Sequence, residues 1–412
     1  MNSLIPIKPS LKHIKDYKNL TPQVVDEILQ IADNLKGLRV VHLNATSLGG
    51  GVAEMLQSII PIQRDIGLKS SWYVIPPNEE FFKITKQVHN FLQGKAGELT
   101  QKEKDIYIKY NRYIAKLVDQ IETDILIVHD PQSAASISYL KNKPRICIWR
   151  CHIDMTAPNK SVWNFLSPHI KRYDHFVFSM PDFVPKEINQ GTFSIICPVI
   201  DPLSVKNRLM SKKEAQTYIQ KFGINVNKPL VTQVSRLDPW KDPKGVIDAY
   251  RSAKKEVPNI QLVLLTQMAL DDPEGLLIYK QVRDYIGREE DITLLANLDD
   301  NDLAVNAFQT ASTVMVQKSI REGFGLTITE AMWKGAVVVA GNVGGIRFQI
   351  QDGVNGFLVN SSDEAAEKII FVLSHPEITE KISEVAHKTV EDKFLLTHDI
   401  LRWLKLFKTL IS

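Results

Sequence analysis

The chain reads as an α/β protein of two Rossmann-like, doubly wound parallel-sheet domains facing each other across a cleft. Three observations predict this. At 412 residues the chain is too long for one ordinary core. Its apolar runs are continuous rather than alternating, as in strands buried on both faces. Helical periodicity separates most of those runs, which is the rhythm of βαβ units.

Taken in order, residues 21–36 read as a helix, with Thr21 as N-cap and Pro22 at the first helical position. Val24, Val25, Ile28, Leu29, Ala32 and Leu35 form its apolar face, and Gly37 stops it. Strands are expected at 39–43, 72–75, 125–128, 146–149, 176–178 and 194–197, with a helical insertion between about Glu79 and Gln120. The pattern breaks at Asp201-Pro-Leu-Ser204, where the interdomain link is placed. The second half repeats the rhythm, with strands expected at 230–234, 261–265, 292–295, 313–316, 336–339 and 357–359. A last helix carries Ile400, Trp403, Leu404, Phe407 and Ile411 along one stripe. The expected division is therefore 1–202, 203–385, and a helical segment 386–412 that packs back on the first domain.

Composition narrows the class. Hydrophobic residues at 44% and charged ones at 24% suit a soluble globular protein. A formal charge of +3, with no basic run interleaved with aromatics, argues against a nucleic-acid partner. No stretch approaches the ~20 apolar residues of a membrane span, and residues 1–10 lack a signal-peptide core. Cys147, Cys151 and Cys197 lack the companions of a zinc site and read as buried free thiols in a reducing compartment. The expected location is cytoplasmic.

Ligands of doubly wound sheets bind at the carboxyl ends of strands, so the loops there hold the candidates. Arg321 to Lys334 is the most informative. Glu322 and Glu330 stand with seven residues between them, and Gly323-Phe324-Gly325 places Glu322 on a loop. A helix beginning near Leu326 or Thr327 then carries Glu330 in its first turn. Glycines before a helix start bare several N–H groups to an anion. A nucleotide diphosphate there would set Glu330 on ribose hydroxyls and Glu322 on the transferred sugar. Thr327 to Glu330 equally fits a capping box.

Ser235 to Lys241 follows the first strand of the second half. Arg236 offers a planar fork for diphosphate oxygens and Lys241 a mobile point charge. Gly49, Gly50 and Gly51 after the opening strand admit a phosphate or sugar close to backbone, or make a tight structural turn. His129-Asp130-Pro-Gln132 and Arg150-Cys-His152 close two further strands; a histidine so placed is equally compatible with structural hydrogen bonding.

Together these residues resemble a known family. Glu322 to Glu330 looks like the E-x7-E motif of retaining glycosyltransferases of family 4, which have the GT-B fold. Ser235-Arg236 with Lys241 resembles that family's phosphate-binding pair, and Gly344-Gly345 its glycine-rich loop. Asn44 to Glu54, Val128 to Gln132, Trp149 to Asp154 and Val234 to Lys241 look like the trehalose glycosyltransferring synthases of archaea and bacteria. After Gly345, Arg347 and Phe348 stand where much of family 4 has proline and glutamate, as in the trehalose-forming and trehalose-phosphorolysing branch.

The resemblance implies reversible transfer of glucose from a nucleoside diphosphate glucose to free glucose, giving α,α-trehalose with retained configuration. By analogy Arg236, Lys241 and the Gly325–Leu326 backbone hold the diphosphate, with Gly50, Gly51, Gly323 and Phe324 also on the donor side. Glu330 takes the ribose, Glu322 and His152 the transferred glucose, and Asp130 and Gln132 the acceptor. Hydrolases that retain configuration use two facing carboxylates; Glu322 and Glu330 share one loop–helix unit, so front-face substitution is the consistent alternative. No tightly bound cofactor and no protein-held metal is expected; Asp271-Asp272 before Pro273 reads as a turn. Magnesium, if it stimulates at all, would act on the free nucleotide. The resemblance suggests a homodimer. Two other readings remain at this stage: a trehalose phosphorylase, and a catalytically silent nucleotide-sugar-binding protein.

Overall fold

The computed structural model describes residues 3–47, 50–188, 191–267 and 273–412. Leu48, Gly49, Asp271 and Asp272, which enter the sequence reading, lie outside the described residues. The chain forms two compact units. Met1–Val199 with Leu396–Ser412 makes the first, and Ile200–Leu395 the second. The returning segment starts later than residue 386 because the helix Pro376–Lys393 runs unbroken through that point.

The first unit has strands β1 (Ile5–Ile7), β2 (Arg39–Asn44), β3 (Lys69–Val74), β4 (Ile125–His129), β5 (Ile146–Cys151), β6 (His175–Phe178) and β7 (Phe193–Ile195). Their order is β1-β3-β2-β4-β5-β6-β7. All neighbours are parallel except β1, which pairs antiparallel with β3 at the edge. Three residues around Pro6 carry too little pattern to announce that strand. Proline suits an edge, where one side of the backbone goes unpaired.

Burial on both faces explains the continuous apolar runs. Leu126 and Val128 enter one core with Leu43, Trp149 and the insertion helices Glu79–Leu92 and Gln101–Val118. Ile125 and Ile127 point the other way, into a core shared with the helices Pro22–Ala32 and Leu396–Ile411. That last helix buries Trp403, Leu404 and Phe407, each contributing roughly 1.5–3 kcal/mol. Thr21 occupies the N-cap position, but its hydroxyl does not cap. It donates instead to Thr397 Oγ1 at 2.9 Å, tying the first helix to the last.

The second unit has β8 (Leu230–Ser235), β9 (Gln261–Thr266), β10 (Ile292–Ala296), β11 (Val314–Gln317), β12 (Val337–Gly341) and β13 (Phe357–Val359), ordered β10-β9-β8-β11-β12-β13. Every neighbouring pair is parallel. Ile200 N donates to Phe394 O at 2.9 Å, so the chain enters and leaves this unit side by side. The three cysteines are buried and free. Among the described residues no helix is long and apolar enough to cross a membrane.

Candidate active site

In the second unit the β8 loop and the β11 loop meet. Arg236, one residue past β8, is exposed and makes no ion pair or hydrogen bond within the described residues. Lys241 ends a short 3-10 turn at Pro239–Lys241 that Asp238 caps through Trp240 N at 2.9 Å. Its ammonium forms an ion pair with Glu322, and Ser319 Oγ donates to the same carboxylate oxygen at 3.2 Å. A second lysine, Lys318, pairs with Asp242 beside it. Sequence reasoning passed over Lys318 and Asp242 because only the β8–β11 neighbourhood brings them together.

Gly325 is the N-cap of the helix Leu326–Trp333, with φ 86°. The helix begins at Leu326 as expected, but the capping box does not form: Thr327 makes no cap hydrogen bond. Glu330 instead turns into the interior, 2% exposed, where its oxygens meet Lys206 Nζ at 3.5 Å and Gln309 Nε2 at 3.3 Å. Burial pushes its carboxyl upward, yet Lys206 and Lys334 outweigh it and hold the group below its ordinary value.

The loop Gly344-Gly345 presses on the backbone of Glu322 to Phe324. Gly345 N donates to Gly323 O at 3.0 Å. A Cβ on Gly344, φ 46°, would stand 1.8 Å from Glu322 O, and one on Gly345 2.5 Å from Phe324 Cα. Only glycine permits this approach. Gln349 fastens the loop by donating to Phe324 O at 2.5 Å. Around Gly323 there is open space.

In the first unit the site is buried, with an arginine and two carboxylates beside its histidines. Asp130 follows β4 with φ 58°, a conformation unusual outside glycine and the kind that gathers at functional sites. Its Oδ1 accepts from His152 N at 2.8 Å, and its carbonyl accepts from Trp149 Nε1 at 3.0 Å. Burial pushes the Asp130 carboxyl up to about 6, opposed by the His152 N–H and by Arg150. Arg150, 2% exposed, donates to Ile196 O at 2.6 Å; burial lowers its guanidinium from the ordinary arginine value, opposed by Asp399 and Asp130. Asp399 comes from the last helix, and burial raises it too to about 6. A small cavity of about 10 Å³ is walled by His42, His129, Arg150, His152, Asp399 and Trp403.

Gln132 is separate from that cluster. It lines a cavity of about 550 Å³ with Thr46, Ser47, Phe82, Lys86 and His89, and its Oε1 has no partner among the described residues. Asp130 is not among those walls. Gly50 caps the helix Gly51–Asp65 with φ 90°, its backbone open. Among the residues sequence reasoning missed, His42 left one trace: an imidazole between the apolar residues Val41 and Leu43 of a strand. Gln63 and Asp399 left none, since each shares its helix face with core residues.

Comparison with known proteins adds to this geometry. Residues 42–185 match a family model described as trehalose synthase, N-terminal domain, and 214–389 one described as glycosyl transferases group 1. A trehalose synthase of Pyrococcus horikoshii is 43% identical over 97% of each chain. One of Rubrobacter xylanophilus is 42% identical over 98% of this chain and 99% of its own. A trehalose phosphorylase of Pleurotus pulmonarius is more distant, 27% identical over 92% of this chain and 58% of its own. Among solved structures, an α,α-trehalose 6-phosphate synthase from Burkholderia multivorans superposes with a TM-score of 0.70 at 16% identity, over 92% of this chain and 100% of that one. The shared architecture is GT-B.

Proposed function

The chain belongs to the trehalose synthase family of glycosyltransferases, and from that premise we propose that it forms α,α-trehalose from a nucleoside diphosphate glucose and free glucose, reversibly and with retained configuration. The observation that carries this reading is the Lys241–Glu322 ion pair beside a glycine loop that only glycine can form, on a strand-end loop that also carries the exposed Arg236. An exposed guanidinium and a lysine already near a carboxylate suit a pyrophosphate arriving next to a sugar.

On this reading the chemistry is front-face substitution. The bond from anomeric carbon to diphosphate oxygen breaks, and the acceptor hydroxyl attacks from the same side. The departing oxygen takes the acceptor's proton. Arg236 and Lys241 neutralise the charge growing on that oxygen, with the N–H groups of Gly325 and Leu326 assisting. Binding of the diphosphate draws Lys241 toward phosphate and frees Glu322 to accept hydrogen bonds from hydroxyls of the transferred glucose. Glu330 is assigned the ribose and Asp130 and Gln132 the acceptor glucose, whose hydroxyls would find Thr46, Ser47, Thr85 and Gln132 among the apolar walls of that cavity. Neither a tightly bound cofactor nor a protein-held metal enters these steps; magnesium stimulation would come from the free nucleotide.

The test is a panel of nucleoside diphosphate glucoses with free glucose, the product's anomeric configuration being read by NMR. α,α-Trehalose is expected; its absence with every donor would falsify the reading. The likeness to trehalose phosphorylase favours a second one, in which inorganic phosphate occupies the cationic pocket. Glucose 1-phosphate formed from trehalose and phosphate without nucleotide would select it.

A further inference from the structure

Three imidazoles cross neighbouring strands of the first unit in one line. His42 pairs in register with Ile127 of β4, and His129 with Arg150 of β5. Each next histidine therefore stands two residues further toward the carboxyl edge than its neighbour's partner. A two-residue step keeps the same face of a sheet, so the rings share one side. It is the side covered by the last helix.

Their nitrogens meet end to end. His42 Nδ1 lies 3.1 Å from His129 Nε2, and His129 Nδ1 lies 2.9 Å from His152 Nε2. At the inner end His42 Nε2 lies 3.3 Å from Gln63 Oε1. At the outer end His152 Nδ1 is buried with no partner among the described residues. Ring planes within 25° and 11° of each other fit edge-to-edge imidazoles joined through their nitrogens.

Burial keeps these rings neutral. It lowers His42 to about 4; His129 and His152 fall well below the ordinary histidine range, with Arg150 adding to the effect. A neutral imidazole has one donor and one acceptor, so the row has two ordered arrangements, with hydrogens all toward Gln63 or all away. Gln63 Oε1 at the inner end accepts, which turns every Nε2–H inward. Arg150 nearby favours a lone pair over an N–H at the outer end.

We infer that His129, His42 and Gln63 are positioning residues that hold His152 in its Nε2–H tautomer, so that its Nδ1 accepts a hydrogen bond from a hydroxyl of the transferred glucose. This rests on the assignment of His152 to that sugar. The row explains why a buried histidine ladder runs from the helix Gly51–Asp65 to the strand-end loop, where apolar packing alone would serve the core.

Long-range proton–nitrogen NMR on the ligand-free full chain reads the tautomers without any substrate. All three rings are expected as Nε2–H; an Nδ1–H form at His152 overturns the inference. In turnover assays with the donor chosen by the panel, His129→Phe is expected to lower kcat about tenfold with donor KM little changed. His129→Asn, whose amide oxygen can still accept from His152 Nε2, should recover most of that loss. Gln63→Met, which removes the inner acceptor, should give mixed tautomers at His152 and a smaller loss in kcat; it also covers failure of the phenylalanine variant to fold. Unchanged kcat in a folded variant overturns the inference even with the expected tautomers. Failure of the wild-type chain to make trehalose overturns the proposed reaction, a separate outcome.

Discussion

The polar centres of the two units solve opposite problems. In the second, the site residues are charged and partly open: Arg236 is exposed, and the Lys241–Glu322 pair is 16% and 10% exposed. In the first, the groups are sunk in the sheet face, and desolvation governs them, keeping imidazoles neutral and raising Asp130 and Asp399. Mobile charge suits a pyrophosphate, which arrives and leaves with its own counter-charge. Buried donors and acceptors held in fixed directions, neutral imidazoles among them, suit hydroxyls, which must be told apart by geometry.

Removing a charge from the second unit should have the largest effect. Arg236→Ala is expected to lower kcat about a thousandfold, about 4 kcal/mol on the barrier. Its melting temperature should stay within error, because the side chain is exposed. Near-normal turnover would remove the arginine from the mechanism and weaken the contrast.

The buried row should show itself in acid. His42 stays neutral in the fold down to about pH 4, whereas in the unfolded chain it takes a proton near pH 6.5. Between those values the unfolded state binds more protons, so stability rises with pH. The His42 contribution, roughly 3 kcal/mol, is present in full above pH 6.5 and lost as pH falls through about 4. Asp130 and Asp399 act in the opposite sense, their contribution being lost as pH rises through about 6. Comparing wild type with His42→Phe isolates the imidazole. Denaturant unfolding of the variant should show a shallower loss from pH 6.5 to 4, and parallel curves would place the charge balance elsewhere.

Salt should separate the units with the smallest effect. Screening weakens partly exposed charges, so donor KM is expected to rise about threefold between roughly 50 and roughly 500 mM salt. Glucose KM should hardly move. Equal sensitivity in both would mean the two centres are not electrostatically distinct.

Much of this was open to sequence reasoning because it is local. Continuous apolar runs announced nearly every strand, and a glycine after a strand end announced the start of the helix Leu326–Trp333. Glu330 marks the limit. Thr327 to Glu330 fits a capping box in spacing, yet Lys206 and Gln309, distant in sequence, draw the carboxylate inward. Thr21 is similar: an N-cap by position whose hydroxyl serves Thr397. In each case a local match competed with a partner that only packing supplies.

From sequence alone came the two doubly wound units and, as candidates, the strand-end loops with Arg236, Lys241, Glu322 and Glu330, because periodicity and motif spacing are written in neighbouring positions. Only the tertiary structure decided that Glu322 meets Lys241, that Gly344 closes on Glu322, and that His42, His129 and His152 line up through Gln63. Those pairings depend on strand order and register across the sheet, and residues far apart in sequence carry no local mark of which neighbour they will face.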